Sequence, residues 1–200
     1  MDQGVAWLVE KARKMTAGEG PSPNDALERV YEGLVAKRPF RSNKPAEATA
    51  RFFCDAGLGG LARWLRGAGY EALWQPDIAD EELLRQARKL SSIILTTDSG
   101  LMERRLVRDR IIPAFWLPPT LKIPQQLVLV FREFGLVAGE PRCMNCGGEL
   151  KPVDKEALKE KIPPKTYRWL DDYFVCHLCG KLLWRGTHWE RISRALRELQ

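Results

Sequence analysis

Arg51-Phe-Phe-Cys-Asp55-Ala-Gly-Leu-Gly-Gly60-Leu-Ala-Arg-Trp-Leu-Arg66-Gly-Ala-Gly-Tyr70-Glu-Ala-Leu-Trp74 decides the fold. Short apolar runs at 52–54 and 70–74 are too brief for buried helices and flank a stretch near 58–66 with helical spacing. The same alternation continues, with apolar runs at 93–95 and 111–117 and helical stretches near 80–89, 101–107 and 125–134. Strands that alternate with helices pair in parallel through right-handed crossovers, which put helices on both faces of the sheet. The expectation is a three-layer α/β domain over residues 51–139. In open sheets of this kind, function gathers at the carboxyl ends of the strands.

Acids stand at those ends. Asp55 closes the first run and Asp98 the third; after the second, Asp77, Asp80 and Glu81 fall in the loop and at the start of a helix. Carboxylates that share a cleft repel one another unless a cation compensates them, and oxygen donors suit magnesium or manganese. Such ions support water attack at phosphorus. Helix capping is the competing reading for Asp80 and Asp98. The Gly57-Leu-Gly-Gly60 loop lacks the lysine and hydroxyl of a nucleotide-binding loop and reads as a tight strand-to-helix turn. Arg63 and Arg66 on the next helix, with Arg104 and Arg105, are candidates for contact with a nucleic-acid backbone, against a default of solvated helix faces.

Two knuckles follow, Cys143-Met-Asn-Cys146 and Cys176-His-Leu-Cys179. Paired Cys-X-X-Cys motifs present four thiolates to one tetrahedral zinc, so residues 140–200 read as a zinc ribbon with a C-terminal helix. A redox dithiol or disulfides are the rivals. Residues 1–50 read as a helical N-terminal extension or linker without an assignable role: Val5, Leu8, Val9, Ala12 and Met15 recur at helical spacing, and Asn24 or Asp25 would cap a second helix.

Composition sets outer limits. Forty-four per cent hydrophobic residues is ordinary for a globular chain of 200 residues, and no apolar run approaches the ~20 residues of a membrane span. Asp2 and Glu10 argue against a secretory leader, and reduced cysteines fit a cytoplasmic setting. The net charge of +6 and pI of 9.2 permit a polyanionic partner. The excess is spread along the chain: 8 basic against 7 acidic residues in 1–50, 12 against 10 in 51–139, and 12 against 9 in 140–200.

Taken in order, Phe53–Tyr70, Asp80-Glu-Glu-Leu-Leu84 and Ile94-Leu-Thr-Thr-Asp98, then the knuckles, Pro163-Pro164 and Trp184-Arg-Gly-Thr-His188-Trp189, resemble the Mut-seven C-terminal RNase domain, a branch of the PIN-like nucleases. The resemblance spans about residues 51–190. It implies a PIN-like fold, RNA as partner and metal-dependent RNA cleavage, with Asp55, Asp80 and Asp98 as the acidic site and Asp77 and Glu81 as neighbours able to share a metal. Thr97 departs from the family pattern, which usually carries an arginine there; arginine suits phosphate positioning. That departure motivates an alternative of different class, a non-cleaving protein with a nuclease-like fold docked on RNA, including tRNA or a ribosome. His188 is a candidate RNA contact, with a packed histidine as the default. Trp169 and Tyr173 are weighed as base-stacking groups against core packing, and Cys54 reads as an inert core thiol.

Overall fold

The computed structural model describes residues 50–162 and 164–197, with scattered positions between 9 and 30; the side chains of residues 158, 161, 165, 188, 196 and 197 lie outside that description. Four parallel strands form the main sheet: β1 (Arg51–Cys54), β2 (Glu71–Trp74), β3 (Ile93–Thr96) and β4 (Ala114–Trp116), in the order β2-β1-β3-β4. Phe52 of β1 lies opposite Ala72 on one side and Ile93 on the other. Between the strands run α1 (Gly59–Gly67), α2 (Asp80–Lys89), α3 (Ser99–Glu103) and α4 (Arg105–Arg108), and α5 (Ile123–Phe134) follows β4.

The period-two alternation of the strands builds two cores. Phe52, Cys54, Ala72, Leu95 and Phe115 point to one face, where Leu61 and Leu65 of α1 and Leu127, Phe131 and Phe134 of α5 cover them. Phe53, Ile94 and Ala114 point to the other, beneath Leu83 and Ala87 of α2 and Leu101 and Val107 of the short helices. Each fully buried side chain of this size stabilises by about 1.5–3 kcal/mol relative to exposure. Edge-to-face rings knit the first core, with Phe134 5.5 Å from both Phe52 and Phe115. The three layers anticipated from the alternation are present.

Some boundaries differ from expectation. The helix expected over 101–107 breaks at Arg104, whose backbone is extended (φ −59°, ψ 135°), giving α3 and α4. The strand expected over 111–117 pairs only from Ala114: Pro113 has no N–H to give the ladder, although its carbonyl accepts from Ile94 N at 2.9 Å. Most of residues 1–49 lies outside the described residues; of the expected first helix, positions 9–11, 13, 14 and 16 are described and are helical. Where positions are described, Asp25 is already helical, and Ser22 stands before it in a capping contact. Its hydroxyl accepts from Asp25 N at 3.2 Å, and Asp25, three residues on, returns a carboxylate to it at 2.8 Å.

The cysteine-bearing part is an antiparallel meander of β5 (Leu150–Val153), β6 (Tyr173–Cys176) and β7 (Leu182–Trp184), with α6 (Pro164–Trp169) before β6 and α7 (Thr187–Arg197) after β7. It shares a core with the first part. Ile192 of α7 is buried among the α1 and α5 side chains, and Met144 packs beside it. The end of α1 is also laced to residues 137–145: the Tyr70 hydroxyl donates to Val137 O at 2.7 Å, and Gly139 N and Arg142 N donate to the carbonyls of Ala68 and Arg66.

Candidate functional site

The chain leaves β1 for β2 on one side of the sheet and returns to β3 on the other, so a topological switch point opens at the carboxyl ends of β1 and β3. Asp55 is the residue after β1. One carboxylate oxygen accepts from Ala56 N at 2.5 Å and the other from the Thr96 hydroxyl at 2.6 Å. Thr96, the fully buried last residue of β3, accepts in turn from Asp98 N at 2.9 Å. One threonine oxygen thus ties the Asp55 carboxylate to the backbone of Asp98 at the switch point. Asp98 caps α3 by accepting from Gly100 N at 2.7 Å.

Asp80 behaves differently. It is the first residue of α2, the cap position belongs to Ala79, and no side chain caps that helix. Capping therefore accounts for Asp55 and Asp98 and leaves Asp80 unexplained. Its carboxylate instead meets the Arg104 guanidinium at 3.1 Å, and the same nitrogen lies 3.3 Å from Glu81. The break between α3 and α4 sets Arg104 there. Asp77 is exposed in the turn after β2 at φ 53°, a left-handed conformation that aspartate tolerates. Among the described residues, the four cysteines alone form a group of three or more His, Cys, Asp or Glu close enough to hold a metal. The acids suit a hard divalent ion by donor type, with Asp55 and Asp98 joined through Thr96 and Asp80 and Glu81 drawn to Arg104.

The cysteines are closed into one set. All four sulfurs lie within 4.8 Å of one another, Cys143 is 3.7 Å from Cys179, and Cys146 is 3.4 Å from Cys176. A tetrahedron with metal–sulfur bonds of ~2.3 Å has edges of about 3.8 Å, so one zinc fits. Disulfide-bonded sulfurs would stand ~2.05 Å apart, which excludes that rival among these cysteines. Each knuckle turns on a glycine directly after its second cysteine, Gly147 at φ 81° and Gly180 at φ 65°. The N–H groups of those glycines donate to the carbonyls of Cys143 and Cys176, at 2.7 and 2.9 Å. Cys-X-X-Cys-Gly, repeated, was the sequence signal for this turn. The Lys181 N–H pulls the Cys179 thiol down to about 7, toward the thiolate that a metal needs, whereas burial pushes Cys143 up and Cys146 up to about 12.

Other candidates sort by burial. Arg66 is not available to RNA, which corrects the sequence reading. It is 6% exposed, its Nε donates to Ala72 O at 2.7 Å, and its Nη1 reaches the carbonyls of Asn145 and Met144 at 2.7 and 3.3 Å. The guanidinium ties α1 and β2 to the first knuckle. Arg63 is exposed, and Arg105 pairs with Asp109. Trp169 is 78% exposed rather than packed, whereas Tyr173 is core and donates its hydroxyl to Thr166 O. Cys54 is fully buried, and burial pushes its thiol up to about 12. The His188 side chain lies outside the described residues. The Trp74 ring lies so close to the Gly59 backbone that a Cβ there would strike it, and its indole donates to Ala56 O, so the glycine loop is a packed turn.

A four-stranded parallel α/β sheet carrying acids at its switch point, joined to a four-cysteine ribbon, is the class these features define. The family model of the Mut7-C RNAse domain matches residues 50–196, and the chain belongs to that family. No curated protein and no solved structure matches it.

Proposed function

We propose that this chain is a magnesium- or manganese-dependent endoribonuclease with a PIN-like core, acting in the cytoplasm. The observation that carries the reading is the coupling of Asp55 to Asp98 through Thr96 at the switch point. Asp55 and Asp98, with Asp80, would hold the ion, and Asp77 and Glu81 stand near enough in sequence to assist. Bound there, magnesium or manganese supplies an activated water and charge neutralisation for in-line displacement at phosphorus. Thr96 and the Gly100 N–H fix the orientation of the two carboxylates, so little reorganisation is left for the reaction. Arg104, exposed and within reach of Asp80, can turn a bidentate fork toward a phosphate. Arg63 and Arg105 offer further backbone contacts, and the ribbon's zinc is structural.

The test uses labelled single-stranded and structured RNAs with manganese, beside an Asp98→Asn protein. Internal cleavage by the parent and none by the variant supports the assignment; equal cleavage by both removes it. One observation favours a second reading, a non-cleaving protein bound to RNA, tRNA or a ribosome: Arg104 already neutralises Asp80 and Glu81 without a metal. RNA affinity that ignores added magnesium, with no products under any divalent ion, would select that reading.

A further inference from the structure

Beside the cysteine cluster, away from every residue of the acidic edge, lies a cleft of about 420 Å³ between the ribbon and α7. That volume falls in the ~300–1,000 Å³ range of small-ligand sites. Its walls include Phe174 of β6, Arg185 after β7, Trp189 of α7, and Arg142 and Glu149 near the first knuckle. The Phe174 and Trp189 rings are 6.4 Å apart and tilted by only 30°. The Arg185 guanidinium lies 5.7 Å from one ring centroid and 5.6 Å from the other. Three planar groups therefore meet in one cleft, with a second arginine on its wall.

We infer that this cleft binds one nucleotide of single-stranded RNA, the base stacked on the Trp189–Phe174–Arg185 group and the phosphate held by Arg185 and Arg142. Aromatic faces accept any base, and stacking is worth about 1–3 kcal/mol per base. Arg185 is 52% exposed and only loosely paired with Asp172 at 3.6 Å, so its fork can turn to a phosphate at little cost. The Arg142 Nε is committed to Gly147 O at 2.8 Å, which fixes the stem of its guanidinium at the cleft wall. Glu140 and Glu149 on the same wall offer acceptors to the amino groups of a base. The site also gives Trp184-Arg-Gly-Thr-His-Trp189 a use that the acidic edge does not supply: the segment delivers both Arg185 and Trp189 to the cleft. This inference rests on RNA being the partner but not on cleavage.

The experiment measures anisotropy of fluorescein-labelled oligouridylate and oligoadenylate on the zinc-loaded 200-residue chain without added divalent ion. Arg185→Gln and Trp189→Leu should each weaken binding about 10-fold, for both oligomers, while Arg88→Gln, an exposed charge in the last turn of α2, binds as the parent does. Arg185→Gln is a surface change, so it carries the test if Trp189→Leu loses zinc. Unchanged affinity in Arg185→Gln, no binding by the parent, or displacement of the oligomer by polyglutamate would each overturn the proposal. Absent cleavage with Arg185-dependent binding would sink the nuclease reading and leave this one standing; cleavage with Arg185-independent binding would do the reverse.

Discussion

Among the described residues the four cysteines lie close enough to share one metal and the three aspartates are not gathered in that way, and the two groups are assembled on different principles. Each cysteine pair is local: a turn of four residues and a glycine set two sulfurs, and only the pairing of β5 with β6 is needed to bring the pairs together. The aspartates come from three separate loops, with the Thr96 hydroxyl bonded to the Asp55 carboxylate and to the Asp98 backbone N–H, and with Arg104 holding Asp80. The first set is complete as folded; the second can be altered at one point without touching the rest. Metal at the first should therefore govern stability, and metal at the second should govern activity.

Breaking the cysteine set should give the largest effect. Cys176→Ser leaves three thiolates and a poor fourth ligand, and structural zinc contributes most of a small ribbon's folding energy. A loss of about 3–5 kcal/mol is expected, roughly a 10 °C fall in Tm for a chain of this size. Hydrogen exchange should speed across 143–184 while β1 to β4 stay protected; uniform loss across both regions would mean that the ribbon and sheet unfold as one unit.

Arg66 joins the two regions, so it ranks next. Removing its side chain in Arg66→Met strands three carbonyl acceptors beside a buried site, at a cost of about 3 kcal/mol. Arg66→Lys should recover little of this, because a lysine cannot serve Ala72 O and Asn145 O at once. A Tm for Arg66→Met within about 2 °C of the parent would show the guanidinium to be dispensable. Zinc content should stay near one per chain in both variants, which separates this strap from the metal site itself.

Asp98→Asn keeps a cap and loses a charge, since an amide oxygen still accepts from Gly100 N. Manganese-dependent cleavage should fall by about 100-fold or more, equivalent to ~2.7 kcal/mol of transition-state stabilisation, with Tm nearly unchanged. Cleavage unchanged in this variant would instead assign Asp98 to capping alone.

These rankings follow what was legible in the chain. The knuckles and the βαβ alternation are patterns of near neighbours, so they were readable, and α2 begins and ends at the residues its acid-first, base-last charges suggest. Arg66 was misread because an arginine late in a helix usually faces water. Its place one turn beyond buried Ala62, next to Leu65, was the sign that it lies on the apolar face. Asp98 was legible as a strand-end acid, but its tie to Asp55 needed β1 and β3 to be neighbours, which no local pattern states. Arg104 was least legible of all, because its role depends on a helix break that follows from tertiary packing.

Arg104 also gives the smallest expected effect on stability and the sharpest test of the contrast between the two sets. Its pairs with Asp80 and Glu81 are partly exposed, so Arg104→Ala should cost no more than about 1 kcal/mol. Freed of that cation, Asp80 and Glu81 repel each other more and attract a divalent ion more strongly. The manganese concentration for half-maximal cleavage should therefore drop several-fold while the zinc site is unaffected. If cleavage instead collapses at saturating manganese, the guanidinium acts on the RNA phosphate and its hold on Asp80 is a resting position. If neither quantity moves, Asp80 lies outside the ion's reach and the acidic edge reduces to the pair that Thr96 joins.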